Sequence, residues 1–297
     1  MGTSHPEGSA MRCGLLALVL LLATAPVVWA KRLPAPPDGI AHQTALSEVV
    51  IVGTVTSFEK ELTEVKAQQG ADVATAYTVA VVKIETAIRG LKDTTHVKVG
   101  FLLKADRARN KNDIDFEVPR LDKLVENERY LLLLRKHPIG NFYVFDFSTP
   151  PLLVTVTEKQ TAAIAEAKFA AGAIADPMKA LKSEKVEDRA LAAVMLLLHY
   201  RIAADRGTVD LVPIDADENA AILKTIAECD WTVPLTGYIN LKRGYAFLEL
   251  SIKDGWYQPK VNPGDNSDAV YQKAFQDWLA GPGVRFRIHK SVFKPKK

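Results

Sequence analysis

The spacing of apolar residues changes once along this chain, near residue 157. Upstream, from about residue 45, apolar side chains alternate with polar ones or run together in stretches rich in β-branched residues. Both patterns are typical of β-strands. Downstream, apolar residues recur at every third or fourth position, which is the spacing of one face of an α-helix. The order of the two patterns predicts an α+β protein with two domains, strands first and helices second.

Six strands are predicted in the first part. The segment 48–58 is rich in β-branched residues and contains Gly53, which marks a bulge or a sharp bend. Residues 76–88 alternate and end at Arg89-Gly90. The remaining predicted strands are 95–103, 129–137, 141–147 and 152–156. The turn at 138–140 predicts a hairpin, in which Gly140 is expected to supply a positive φ.

The second part contains start and stop signals for helices. Thr157–Gln160 and Asp215–Glu218 match capping boxes, and a helix is predicted after each. Further helices are predicted over 186–204, 239–252 and 268–281. Ser267 is the expected cap of the last one. The closing run "RFRIHKSVFKPKK" is interpreted as a solvated basic tail.

Short motifs in both parts carry a resemblance to known proteins. They are Gly53-Thr54-Val55, Tyr77-Thr78-Val79, Arg89-Gly90 and Arg129-Tyr130-Leu131-Leu132, followed by "EDRALAAVMLLLHYR", "IDADENAAILKTIAECDW" and "KDGW". The first part resembles the OB-like β-barrel of the netrin and tissue-inhibitor-of-metalloproteinase type, and more closely a domain of uncharacterised exported bacterial proteins. The second part resembles the helical C-terminal region of the same exported proteins and loosely suggests HEAT-like helix pairs.

The resemblance implies architecture and no chemistry. It implies an OB-like antiparallel β-barrel followed by a small helical domain, and it implies no activity, because none is assigned to those exported proteins. The metalloproteinase inhibitors present a disulfide-tethered N-terminal cysteine to a zinc ion. Between residues 31 and 156 this chain contains no cysteine, so that mechanism has no residue to act through.

The chain begins with a pattern typical of a secretory signal peptide. Arg12 precedes a short apolar run, which ends at the small-residue cleavage pattern Val28-Trp29-Ala30. Thr24 and Pro26 interrupt the run, which is shorter than the about 20 residues of a membrane span. We therefore expect export to the periplasm or the extracellular space and no transmembrane segment after cleavage. The predicted boundaries are 1–30 for the signal peptide, 31–44 for an extended segment, 45–156 for the barrel, 157–283 for the helical domain and 284–297 for the basic tail.

Composition and cysteine count restrict the possible partners. The chain is 48% hydrophobic and 25% charged, which is typical of a globular protein, and its net charge of +3 is too small to indicate nucleic acid. Cys229 is the only cysteine after residue 30. It is a catalytic nucleophile, half of an intermolecular disulfide, or a buried core residue. Ile222, Ile226 and Cys229 share one stripe of a helix, which favours the core.

Recognisable catalytic and metal-binding motifs are missing from the sequence. It contains no nucleotide-binding loop, no nucleophile elbow and no histidine pair at metal-ligand spacing, so no catalytic residue, metal ligand or cofactor is assigned. His199 lies between Leu198 and Tyr200 and is interpreted as a core or boundary histidine. The segment "NPGDNSD" (262–268) faintly resembles a calcium loop, but a helix cap explains the same residues better.

Two weak binding candidates remain. Asp113, Asp115 and Glu117 alternate along a charged excursion between the third and fourth strands, so they would share one face. That face is either solvated or part of a binding loop at the rim. Trp256 and Tyr257 form either a stacking platform for sugar or peptide, or part of the core.

The sequence therefore favours an exported, non-catalytic protein that serves as a protein-interaction or envelope-associated module. Its expected partner is another envelope or extracellular protein. The alternative is a protein that binds an extracellular carbohydrate polymer, or a hydrolase that acts on one at the cell surface.

Overall fold

The computed structural model describes residues 39–67, 72–102, 124–145, 151–154, 158–201, 208–233, 235 and 240–294. All of these described residues belong to one compact unit. Its strands are β1 (Val49–Phe58), β2 (Thr63–Lys66), β3 (Ala74–Arg89), β4 (His96–Phe101), β5 (Arg129–Lys136), β6 (Tyr143–Phe145), β7 (Leu152–Leu153), β8 (Thr208–Pro213) and β9 (His289–Lys294). Its helices are α1 (Gly39–Leu46), α2 (Glu158–Ala175), α3 (Pro177–Leu181), α4 (Val186–Arg201), α5 (Ala216–Glu228), α6 (Leu241–Ala246) and α7 (Ser267–Ala280). The protein is therefore α+β, as predicted.

Five of the strands close into a barrel. The order is β1-β3-β4-β6-β5, and β5 pairs with β1 to complete the circle. All neighbours are antiparallel except β4 and β6, which are parallel. Strand β2 extends the sheet from β3, and β7 extends it from β5. Five of the six strands predicted in the first part thus form a closed barrel, the sixth is β7, and β2 was not predicted.

Strands β1 and β5 are buried on both faces, which explains their continuous apolar runs. Ile51 and Leu132 belong to the cluster inside the barrel, whereas Val52 and Leu133 pack outside it with Ala167 of α2. A strand with two apolar neighbours has no polar face and therefore shows no alternation. The Val-Ile-Val and Leu-Leu-Leu-Leu runs are the sequence signal of this arrangement.

Two glycines of the barrel are fixed by close contacts. The register between β1 and β3 shifts at Gly53, as predicted, and a Cβ there would lie 2.6 Å from the carbonyl oxygen of Lys83. The expected positive φ at Gly140 is wrong. Gly140 lies instead against the ring of Phe142, where a Cβ would come within 2.3 Å of Cε1. Close approach, rather than turn conformation, requires glycine at this position.

Helix α4 lies at the centre of the helical part. Nine of its residues are buried, and it packs against α1, α2, α3, α5, α6 and β9. Gly244 of α6 permits one of these crossings, because a Cβ there would lie 2.8 Å from Cγ2 of Val194. Among the described residues, no helix is both long enough and apolar enough to cross a membrane.

Several predicted boundaries differ from the structure. The extended segment expected over 31–44 is helical from Gly39 onward, as α1. The helix expected over 239–252 is confined to α6 and is followed by a 3₁₀ turn at Ile252–Asp254. The basic tail is a second 3₁₀ turn, Pro282–Arg285, followed by strand β9, which pairs with the unpredicted β8.

The helix caps also differ in detail. Asn266, and not Ser267, caps α7 by accepting hydrogen bonds from the amides of Asp268 and Ala269. This cap confirms the interpretation of "NPGDNSD" as the start of a helix. Asp215 caps α5 as expected, but Glu218 accepts a hydrogen bond from the hydroxyl of Tyr200. The capping box predicted at Thr157–Gln160 begins outside the described residues.

Candidate functional site

The binding candidates from the sequence have different outcomes. Asp113, Asp115 and Glu117 lie outside the described residues. Trp256 is buried, with 4% of its surface exposed, whereas Tyr257 is 70% exposed. The two side chains therefore do not form a joint platform, because the faces of the Trp256 ring are covered.

Trp256 belongs to an aromatic cluster that holds the short C-terminal elements together. Its ring centroid lies 5.5 Å from that of Tyr245 and 6.2 Å from that of Trp278. Burial raises the pKa of Tyr245 to about 12. The indole of Trp278 donates a hydrogen bond to the carbonyl of Asp254 at 2.9 Å, which anchors the first 3₁₀ turn to α7. The abundance of aromatics near the C-terminus is thus explained by packing.

A charged cleft lies beside this cluster. It has a volume of about 550 Å³, and its apolar walls are Pro213, Leu248 and Phe286. Its charged and titratable lining, which we call the arginine cleft, consists of Arg201, Arg285, Arg287, His289, Glu249 and Asp254. These residues come from the end of α4, the turn after α6, the two 3₁₀ turns and the start of β9.

Arg201 is fixed at the last position of α4. Its Nη1 contacts Oε2 of Glu249 at 2.9 Å, and its Nη2 donates to the carbonyl of Leu248 at 3.1 Å. Its Nε is buried and has no hydrogen-bond partner among the described residues. This N–H is closed off from solvent, so a ligand in the cleft would be contacted by the other N–H groups of the guanidinium.

Glu249 adopts an unusual backbone conformation to reach Arg201. Its φ of 52° lies in the left-handed region, which glycine or asparagine occupies more easily. The carboxylate is 72% exposed and is held by its ion pair with Arg201. An ion pair with so exposed a partner contributes little, so the contact is easily exchanged.

The segment that carries the other cations is held by a buried asparagine. Asn219 of α5 is 3% exposed, and its Oδ1 accepts a hydrogen bond from the amide of Ile288 at 2.8 Å. Its Nδ2 donates to the carbonyl of Phe286 at 3.1 Å. Residues 286–288 are thereby fixed between the second 3₁₀ turn and β9, with Ile288 buried and Arg285, Arg287 and His289 at the cleft.

The cleft carries an excess of positive charge. Arg201 is paired with Glu249, and the carboxylate of Asp254 accepts hydrogen bonds from the amide and hydroxyl of Ser251. Arg285 and Arg287 form no ion pair within the part of the chain that the structure describes. The lining contains no hydroxyl or thiol nucleophile beside a base. The arrangement is suited to binding an anion.

This cleft was not predicted from the sequence. Arg285, Arg287 and His289 belong to a basic stretch, which by itself does not indicate a cleft. It was assigned to a solvated tail because its partner strand and Asn219 lie about 70 or more residues away in sequence. Arg201 and Glu249 carried no signal that linked them to each other or to the tail.

Cys229 lies in the helical core, as predicted. It is 7% exposed, it ends α5, and burial raises the pKa of its thiol. A second cleft of about 480 Å³, between α3 and α5, touches it. No group of three or more potential metal ligands occurs among the described residues.

A second charged site joins the barrel to the helices. Nη1 of Arg89, at the end of β3, donates to the carbonyls of Thr44 at 2.7 Å and Ala45 at 3.3 Å, at the C-terminal end of α1. Its Nη2 lies 3.4 Å from Nδ1 of His199, which is also 3.3 Å from the carbonyl of Ala45. Burial, and then the charge of Arg89, lower the pKa of His199. His199 is therefore a boundary histidine, as predicted, and Arg89 has a structural role.

No protein-family model matches this chain, and no curated protein matches it.

Proposed function

We propose that this protein is an exported, non-catalytic binding protein whose partner is another envelope or extracellular protein. The observation that carries the proposal is the arginine cleft, where Arg285 and Arg287 form no ion pair with any described residue and the segment that carries them is fixed by Asn219. Exposed cations on a rigid segment lose little entropy when a partner binds, and arginine is enriched in protein–protein interfaces.

Export is supported by residues 11–30. The pattern of Arg12, a short apolar run and Val28-Trp29-Ala30 is that of a secretory signal peptide. The single cysteine after residue 30 is buried, so the fold places no demand on the redox state of its compartment.

We infer further that the barrel is OB-like. Numbered within the barrel alone, its strands follow the order 1-2-3-5-4 and close on strand 1, with strands 3 and 5 parallel. A five-stranded Greek-key barrel with this order supports an OB-like fold of the netrin and tissue-inhibitor-of-metalloproteinase type. The proposed binding surface lies outside the barrel, on the C-terminal elements.

The partner is tested by affinity purification from the native host. The tagged full chain is crosslinked in the intact envelope, purified and compared with two double variants. Arg285→Gln with Arg287→Gln removes the unpaired cations of the cleft. Lys260→Gln with Lys273→Gln removes the same charge from exposed positions elsewhere.

We expect one or more proteins to be recovered with the unchanged chain and the lysine variant, and to be depleted with the arginine variant. Recovery of monomer alone would contradict the proposal. Equal recovery with both variants would place the partner elsewhere on the surface. Purification of a glycan in place of a protein would favour the carbohydrate-binding alternative.

A further inference from the structure

The arginine cleft also indicates the chemistry of its ligand, an inference that rests on the proposed function. The first indication is its balance of charge. Three guanidinium groups and His289 face two carboxylates, of which Glu249 is paired with Arg201 and Asp254 with Ser251. The positive excess favours an anion, while the two resident carboxylates disfavour a dense negative charge such as a phosphate dianion.

The second indication is that Arg201 already binds a carboxylate. The Glu249 contact shows that a carboxylate oxygen reaches Nη1 at 2.9 Å from the cleft side. Planar guanidinium groups match carboxylates through their N–H donors, and Nη1 of Arg201 already contacts one. A carboxylate from a ligand is therefore the group that best replaces Glu249.

The third indication is the apolar wall. Leu248, Pro213 and Phe286 line the same cleft. The ring of Phe286 packs edge to face on Trp278, with centroids 5.4 Å apart, which fixes its position in the wall. Apolar side chains interleaved with carboxylates fit this lining, and that combination is characteristic of a polypeptide.

We propose that the arginine cleft binds an acidic polypeptide segment, one carboxylate of which displaces Glu249 from Arg201. In the free protein Glu249 occupies this position and competes with the ligand. Its exposure and left-handed backbone make it a weak competitor, which permits exchange. Arg285 and Arg287 then contact further carboxylates of the segment.

The test measures binding of a fluorescent peptide in which Glu alternates with Ala and Phe. The control peptide has Gln in place of each Glu, and the competing arms use oligogalacturonate and inorganic phosphate. The protein is the full chain, with its fold checked by circular dichroism. Affinity for the acidic peptide is expected to fall as ionic strength rises.

The variants give the proposal specific outcomes. Arg285→Gln with Arg287→Gln is expected to weaken binding by roughly tenfold or more, since a hydrogen bond to a charged group contributes about 1.5–3 kcal/mol. Lys260→Gln with Lys273→Gln, which changes the net charge equally, is expected to leave the affinity within about twofold. Glu249→Gln removes the competitor and is expected to strengthen binding.

Three results would overturn the inference. They are equal weakening by both double variants, weaker binding by Glu249→Gln, and tighter binding of phosphate or oligogalacturonate than of the acidic peptide. Failure of the proposed function is distinguishable, because it appears as monomer alone in the envelope crosslinking. A recovered partner that binds the Arg285→Gln, Arg287→Gln protein as strongly as it binds the unchanged chain would contradict binding at the arginine cleft. That result would still agree with the proposed function.

Discussion

Replacement of Arg89 by methionine tests how the barrel is joined to the helices. The substitution keeps most of the side-chain volume and removes the guanidinium. It leaves the carbonyls of Thr44 and Ala45 without their donor, and it removes a cation from the C-terminal end of α1, where positive charge is favourable. His199 loses its guanidinium neighbour as well.

The magnitude follows from the strongest of these contacts. A hydrogen bond from a charged donor contributes about 1.5–3 kcal/mol, and the helix-end interaction adds roughly 0.3–1 kcal/mol. Burial lowers the pKa of Arg89, which shows that the charged form is itself costly to bury and offsets part of the gain. We expect a net loss of about 2 kcal/mol, out of a typical stability of about 5–15 kcal/mol.

The assay is equilibrium unfolding in urea, supported by calorimetry. A loss of about 2 kcal/mol corresponds to a fall in Tm of roughly 4–8 °C. Lys92→Met is the matched control, since it removes an exposed cation from the turn that follows β3. The Arg89→Lys variant keeps the charge but not the forked donor, and it should lie between the two. A loss for Arg89→Met no greater than that of the control would refute the reasoning.

Three further predictions concern the core. The pKa of His199 is lowered in the folded state, so its contribution to stability is fully present above about pH 6.5 and is lost as the pH falls below that value. A His199→Gln variant whose Tm shows the same acid dependence as the unchanged protein would contradict this. Gly100→Ala should destabilise the protein by about 1–3 kcal/mol, because its Cβ would lie 2.3 Å from the Phe142 ring. Gly172→Ala in α2 should stabilise it by about 0.5–1 kcal/mol, because a Cβ there would have no heavy atom within 4 Å. Urea midpoints that move in the same direction for both variants would refute these two predictions. Cys229 should react with a thiol reagent roughly a hundredfold more slowly in the folded protein than in urea, because its thiol is buried, and rapid labelling would show that the core interpretation is wrong.

The barrel strands were largely predictable because their signals are local. The runs in β1 and β5 consist of residues that favour strands, and the register shift at Gly53 follows from a glycine within such a run. Strands β8 and β9 were not predicted, because they depend on residues that lie far away in the sequence. Strand β8 acquires its structure by pairing with β9, about 80 residues away, and local composition contains no record of that pairing.

Helix α1 was also not predicted, because its structure depends on distant contacts. The sequence "GIAHQTAL" has no acidic residue in its first turn, no basic residue in its last turn and almost no amphipathic pattern. It forms a helix because it is docked: the amide of Ala41 donates to Glu166 of α2, and Arg89 caps its last carbonyls. Tertiary contacts determine its structure, so a prediction from intrinsic propensity fails.

The candidate site was not predicted, for a related reason. Arginine and histidine at 285, 287 and 289 belong to a basic stretch, and such a stretch is usually solvated. Two contacts made it part of a cleft, the hydrogen bonds from Asn219 and the pairing with β8. Trp256 and Tyr257 illustrate the converse, since adjacent aromatics share a sequence signal while one is buried and the other exposed.

The docking of α1 has a consequence for the order of folding. Its partners Glu166 and His199 lie 125 and 154 residues further along the chain from Ala41 and Ala45. Contacts of such high sequence separation raise the contact order and slow folding, because a long loop must close before they form. The contacts of α1 with Arg89 of β3 and Glu166 of α2 do not need α4, whereas its contact with His199 does. We therefore expect the docking of α1 to be completed only after the barrel strands, α2 and α4 have come together.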